Sequence, residues 1–266
     1  TWTIIWNMRM FNDERIWVRG AGELGSAVAH LLFRLGFQVI LSEISPPLAI
    51  RRPVTFSDAI LDGQTEVEGV KARRIGVHEF IETTPGIELL LMLDSDELYK
   101  SFKPDVIVDA RMLKRYSEDY RPWAGLFIGL GPGFDTMTNC HTVIETMRGH
   151  DLGRIIQHGT ALADTGIPGS LGGQTSRRLI RAPGDGKVEW LVEFGDLVSE
   201  KQLIGNLGNI TISAPLAGII RGLIAPVTPV TTGMKIGDVD PRGTSVKYLQ
   251  ISEKARIIAS GVYEAI

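Results

Sequence analysis

The sequence predicts a two-domain α/β fold, a doubly wound parallel sheet followed by a smaller all-β domain. Three observations carry the prediction. Residues 16–41 read as strand, glycine turn, helix and strand. Apolar runs and helical spacing keep alternating to about residue 150. A Gly/Pro-punctuated C-terminal stretch then contains an internal repeat.

The elements follow in order. Ile16-Trp17-Val18 is a short apolar run ending in glycine, as a buried strand would. Leu24, Val28, Leu31, Leu32 and Leu35 share one helical face, and Gly36 stands where a C-cap belongs. Phe37–Leu41 is the second strand, which completes a βαβ unit. Ile87–Leu93 predicts a strand and Asp94–Phe102 a helix capped by Asp94, with further strands at Val106–Val108 and Leu126–Ile128. Residues 54–75 alternate around Val67 and Val70 and suit an inserted hairpin. The expected domains are a Rossmann-like nucleotide-binding domain at 1–158, a linker at 159–176 and an all-β domain at 177–266.

Composition narrows the function classes. A net charge of −3 argues against a nucleic-acid surface. The single cysteine, Cys140, forms no internal disulfide and fits a reducing compartment. No apolar run reaches membrane-spanning length, and no basic segment followed by an apolar one opens the chain. A cytoplasmic protein is expected. Homo-oligomerisation is left open.

The principal candidate site is the turn Gly20-Ala21-Gly22-Glu23-Leu24-Gly25. A phosphate needs backbone N–H groups pointing at it, and a helix N-terminus supplies them with a favourable dipole. Gly20 permits the tight turn, Gly22 the approach of phosphate, and Gly25 close helix–strand packing. Glu43, at the end of the next strand, stands where an acid binds ribose hydroxyls and favours NAD, although Arg51 and Arg52 complicate that choice. Asp109 and Arg111 follow a later strand. The loop 129–135, with Gly131 and Gly133, follows another and could cradle an anion. The cofactor expected is therefore NAD or another nucleotide.

Two further clusters are weaker. Cys140, His141, Glu145, Arg148 and His150 lie close in sequence. If residues 142–147 were helical, His141 and Glu145 would share a face suited to a metal or an acid–base pair. No HExxH or CxxC pattern exists, and no metal site is expected. Asp238 and Asp240 share a face of an extended strand, where they could hold a cation or pair with Arg242. Asp109, His141 and Cys140 are the candidates for catalysis.

In the C-terminal repeat Ala182-Pro183 recurs as Ala214-Pro215, and the offset of 32 also pairs Val188 with Ile220, Val198 with Val230 and Ile204 with Ile236. The pattern resembles the biotinyl/lipoyl-type barrel-sandwich fold with its internal two-fold repeat. The connection 208–213 has no lysine, so carrier function is not implied.

The chain as a whole resembles the selenium-dependent molybdenum hydroxylase system proteins, a bacterial accessory family. The matching stretches are residues 18–37, 47–60, 103–112, 129–134, 145–156, 214–224 and 233–243. The resemblance implies an accessory protein that matures or supplies a molybdenum hydroxylase. A hydroxylase client or its maturation machinery would be the partner, and a nucleotide or a molybdopterin-type cofactor the ligand. It fixes a pathway rather than a reaction and transfers no catalytic residue. The alternatives are an NAD-dependent oxidoreductase using Asp109 and His141, and a non-catalytic scaffold with a degenerate nucleotide site.

Overall fold

The computed structural model describes residues 12–76, 79, 88–115, 117–166 and 169–266. Ile87 of the expected strand 87–93 and residues 167–168 of the expected linker lie outside the described residues. The chain divides into two compact units. The first holds the residues up to Ser45, Phe56–Asp164 and Ser252–Ile266; the second holds Pro46–Thr55 and Thr165–Ile251.

In the first unit, β1 (Asn12–Arg19) leads through a glycine turn into α1 (Glu23–Arg34) and then β2 (Phe37–Glu43). Ile16, Trp17 and Val18 are fully buried, so the strand is apolar on both faces, as a strand covered on both sides must be. Glu23 in the first turn of α1 and Arg34 in the last complement the helix dipole. After α2 (Ala59–Asp62), β3 (Gln64–Val67) and β4 (Val70–Arg74) form a hairpin. Its two-residue loop, Glu68-Gly69, has φ of 44° and 81°, which matches the twist of paired strands. Next come β5 (Leu89–Leu93), α3 (Leu98–Phe102), β6 (Val106–Asp109), β7 (Leu126–Leu130), β8 (Thr142–Ile144) and β9 (Ile155–Ile156).

These strands form one sheet in the order β3-β4-β5-β2-β1-β6-β7-β8-β9. The seven inner strands are parallel, while β3 and β9 pair antiparallel at the two edges. The sheet is therefore mixed, and the doubly wound Rossmann-like sheet expected for residues 1–158 is corrected on two counts. The edges are antiparallel, and the crossovers after β5 are poor in helix. The helix expected over 94–102 is the single turn α3. The link from β6 to β7 carries only a 3-10 turn at Arg121–Trp123, and residues 142–144, expected within a helix, are the strand β8. Aromatic side chains take the place of the missing helices on one face. Trp123 stacks 4.2 Å from Tyr99 and 6.4 Å from Trp17, and Tyr120 lies 6.0 Å from Phe127. They cover Trp17, Ile40, Leu90, Ile107 and Phe127, the alternate positions of five neighbouring strands.

The second unit contains β10 (Leu179–Arg181), β11 (Val188–Trp190), β12 (Leu197–Val198), β13 (Leu203–Leu207), β14 (Ile210–Ser213), β15 (Gly218–Leu223) and β16 (Lys235–Asp240). The barrel-sandwich expected here is corrected to two antiparallel sheets, β10-β16-β15-β12 and β11-β13-β14. The two repeat copies exchange hydrogen bonds. Ala182 N–H donates to the Met234 carbonyl, and its counterpart Ala214 N–H donates to that of Gln202. A segment from the first half of the chain also completes this unit. Leu223 N–H donates to the Ile50 carbonyl, and Ile50 packs in the core with Ile180, Ile220 and Ile236. No pattern in residues 46–55 announces that role.

The chain then returns to the first unit as α4 (Glu253–Ala265), capped by the Ser252 hydroxyl, which accepts the Ala255 N–H at 3.3 Å. The boundary expected to place 252–266 with the C-terminal domain is thereby corrected. The helix packs on α1, and Tyr263 meets Phe37 edge-on at 6.3 Å.

Candidate ligand site at the carboxyl edge of the central sheet

Because the inner strands are parallel, their carboxyl ends share one edge. Gly20 leaves β1 there with φ +95°, and a Cβ on it would lie 3.1 Å from the backbone of Ala110 and Arg111. Gly25 is required by packing, since its Cβ would stand 1.8 Å from the Gly20 carbonyl oxygen. Gly22 differs. Its φ is −69°, open to any residue, and a Cβ there would meet nothing within 4 Å. The space above Gly22 is empty of protein, and α1 starts there without a side-chain cap. The N–H groups of Gly22, Leu24 and Gly25 find no acceptor among the described residues. This is the general condition of an uncapped first turn.

Glu43 is turned to the protein rather than outward. Its carboxylate accepts the N–H of Ala21 and of Ile44, each at 2.8 Å. Burial pushes this carboxyl above the usual carboxylate range, against the two N–H groups that oppose the rise. One oxygen holds Ala21 of the turn and the other the N–H of the following Ile44, which is a different task from the ribose contact expected of this residue.

Beside the turn lies a charged network that the sequence reading missed, apart from Asp109 and Arg111. Arg19, the last residue of β1, is 2% exposed. Its Nε and Nη2 grip Asp94 at 3.2 and 2.8 Å, and Nη2 also reaches Asp96 at 3.0 Å. Ser42 donates its hydroxyl to Asp94 at 2.5 Å and accepts the Trp17 indole N–H at 2.9 Å. Burial alone would raise Asp94, yet the Arg19 guanidinium and the Ser42 hydroxyl hold it below the usual carboxylate range. Asp109, fully buried at the end of β6, takes Nε and Nη2 of Arg111 at 3.0 and 2.5 Å. Despite burial, that pairing raises Arg111 and keeps it charged. Both guanidiniums approach the Tyr120 ring, Arg19 at 5.1 Å and Arg111 at 5.9 Å. The signal available in the sequence was positional, because Arg19, Asp94 and Asp109 each end or follow a strand.

The other predicted residues are not brought to this place. Gly131 faces Thr146, and Gly133 lies against the carbonyl oxygens of Leu113 and Arg115. The loop 129–135 is thus filled by its own chain, not held open for an anion. His141 precedes β8, at the amino end of the sheet, where its Nδ1 accepts the Phe127 N–H at 2.9 Å. Cys140 is fully buried beside it, and burial, with help from Asp135, pushes its thiol up to about 12. Glu145 follows β8 at the other end. There it accepts the N–H of Met147 at 2.6 Å and of Leu162 at 2.8 Å, and fastens a loop. His141 and Glu145 are therefore separated by a strand, and Arg148 and His150 are exposed. Among the described residues no three His, Cys, Asp or Glu side chains converge as metal donors would. In the second unit Asp238 and Asp240 are buried partners of Arg178, Arg221 and Arg242, with Arg242 2.7 Å from Asp240.

Both oxygens of Asp94, Asp109 and Glu43 accept hydrogen bonds, while exposed Asp96 accepts from Arg19 through Oδ1. The N–H groups of Gly22, Leu24 and Gly25, and Arg19 Nη1, which is buried, are donors without a partner among the described residues. Half-buried Lys254, in the first turn of α4, adds a further cation within electrostatic reach of Glu23 and Glu145. Burial, then Arg148, lowers its pKa. Among the described residues no helix is long and apolar enough to cross a membrane.

No family model matches the chain. It is 43% identical over 251 residues to the uncharacterized protein YqeB of Escherichia coli (strain K12), an alignment taking in 94% of this chain and 46% of that protein. The chain thus spans about half the length of this curated relative. Among solved structures it is similar to an aspartoacylase family protein from Mesorhizobium loti, with 11% identity, 86% of this chain and 85% of that one covered, and a TM-score of 0.27. It is similar also to a succinylglutamate desuccinylase/aspartoacylase from Rhodobacter sphaeroides, with 13% identity, 86% and 85% covered, and a TM-score of 0.26. Superpositions this weak transfer neither fold nor activity. None of these proteins points to a molybdenum hydroxylase accessory family. The accessory role is withdrawn, and with it the selenium link, the molybdopterin-type cofactor and the hydroxylase client. The comparisons lend no support to the scaffold with a degenerate nucleotide site or to the NAD-dependent oxidoreductase. The geometry also removes the latter's catalytic pair, since Asp109 is locked to Arg111 at one edge of the sheet and His141 lies at the other.

Proposed function

We propose that the carboxyl edge of the first unit binds a small phosphate-bearing molecule over Gly22. The observation that carries this reading is the uncapped N-terminus of α1 with open space above Gly22. The N–H groups of Gly22, Leu24 and Gly25 have no acceptor among the described residues, and a Cβ on Gly22 would meet nothing within 4 Å. An acceptor-rich anion satisfies such a set, and the helix dipole favours its charge. Parallel strands direct ligands to this same edge, outside their carboxyl ends. A reducing compartment, the cytoplasm, is the proposed location, on the strength of the one cysteine, which is free and buried.

The test is calorimetric titration with inorganic phosphate, pyrophosphate, ADP and NAD, in the wild type and in Gly22→Ala. The added methyl meets no protein atom, so the melting temperature should stay within about 2 °C of wild type. It occupies the ligand's space, so binding should weaken about tenfold or more through lost hydrogen bonds to the charged group. Absence of binding across the series, or equal binding by the variant, would refute the proposal.

A further inference from the structure

The described sheets end in the edge strands β3, β9, β10, β11, β12 and β14. β3, β10 and β11 carry Glu66, Arg181 and Glu189, and β9 and β12 are two residues long. Charge and brevity are the usual means of keeping an edge from pairing with another chain. β14 is four residues long and uncharged, and its flanks Gly208, Asn209 and Ala214 are uncharged too. One side of it is taken by β13. Ala214, which continues the strand, donates its N–H to the Gln202 carbonyl and accepts the Lys201 N–H, each at 2.8 Å. Backbone groups alternate along a strand, so those of Ile210 and Ile212 also face β13, and those of Thr211 and Ser213 face outward. The side chains alternate in step: Ile212 and Ala214 lie in the core, while Thr211 and Ser213 are exposed. No described residue pairs with the outer side.

We propose that β14 pairs, antiparallel, with β14 of a second copy of this chain about a two-fold axis at Ile212. Thr211 then stands opposite Ser213 of the copy, and each such pair exchanges both of its N–H···O=C bonds. That two-fold match of the outward groups favours a second copy over an unrelated extended peptide. Charge agrees, because an uncharged edge meets no like charge in its own copy. Ile210, 47% exposed, comes to face Ala214 of the copy and is withdrawn from water. Pro215 has no N–H and ends the ladder beyond Ala214, while the turn at 208–209 ends it on the other side, which disfavours a slipped register.

The experiment is sedimentation equilibrium of the intact chain. From about 5 to about 500 µM, the range of a small interface, the mass of the wild type should climb from one copy towards two. Thr211→Lys with Ser213→Lys sets lysine opposite lysine across the axis and should stay at the mass of one copy. Thr211→Glu with Ser213→Lys sets glutamate opposite lysine and should dimerise again. Both positions are exposed, so melting should stay within about 2 °C of wild type. Should the double-lysine variant fail to fold, the glutamate–lysine variant decides alone. Its dimer should weaken with added salt while that of the wild type does not. A wild type that stays at the mass of one copy at about 500 µM would overturn the proposal. So would a folded double-lysine variant that still dimerises. Dimers lost with lysines and not regained with the glutamate–lysine pair would overturn the pairing about Ile212.

Discussion

Asp94 receives hydrogen bonds from Arg19 and from Ser42, and through Ser42 it is tied to the Trp17 indole. A carboxylate so placed neutralises a guanidinium that is itself almost wholly buried. Asp94→Asn removes the charge but keeps the shape, leaving Arg19 only the exposed Asp96. Breaking one side of a buried pair costs about 3 kcal/mol or more, which urea denaturation at pH 7 should register. The sign of the pH dependence follows from the depressed Asp94 pKa. The stabilisation is complete above the unfolded value, about pH 4, and is lost as pH falls through the lower folded value. The gap between wild type and variant should therefore close on acidification. A gap unchanged between pH 7 and about pH 2 would show that Asp94 is not the titrating group.

Among the elements, α4 bears most on the site, because its first turn carries Lys254 and its length is packed on α1. Its fit depends on a close approach. A Cβ on Gly261 would lie 2.1 Å from the Gly153 carbonyl oxygen, so helix and loop touch backbone to backbone. Gly261→Ala must push α4 outward. We expect a loss of about 2 kcal/mol by overpacking, even though alanine is the better helix former. Thermal denaturation decides the point, and a variant more stable than wild type would mean that the contact is loose. The arrival of α4 at this unit was not legible in residues 252–266. Those residues form a helix with one buried face, but the face of α1 that receives it lies more than 200 positions earlier in the chain.

For the whole molecule, the single cysteine is a reporter. Cys140 is fully buried, and burial holds its thiol near 12, so native protein should resist iodoacetamide at pH 8. Reaction should await opening of the first unit, and its rate should rise with urea as that unit unfolds. Labelling of the native protein within about tenfold of a free thiol's rate would contradict the packing around β7 and β8.

Read by itself, the sequence determined the local unit of β1, the glycine turn, α1 and β2. Its information lies within about 30 residues, and hydrophobic period and glycine placement act over that range. It also located Asp109 and Arg111 at the end of a strand. It did not decide that the sheet has antiparallel edges, that residues 142–144 extend rather than coil, or that the crossovers are covered by aromatics in place of helices. Short apolar segments serve either conformation, and the neighbour that buries them makes the choice. Tertiary structure alone brought Arg19 to Asp94 and both arginines to Tyr120, and sent His141 and Glu145 to opposite ends of one strand. Strand order sets those distances. It is decided by which apolar faces pack together across the whole unit, a global quantity that no local window of sequence contains.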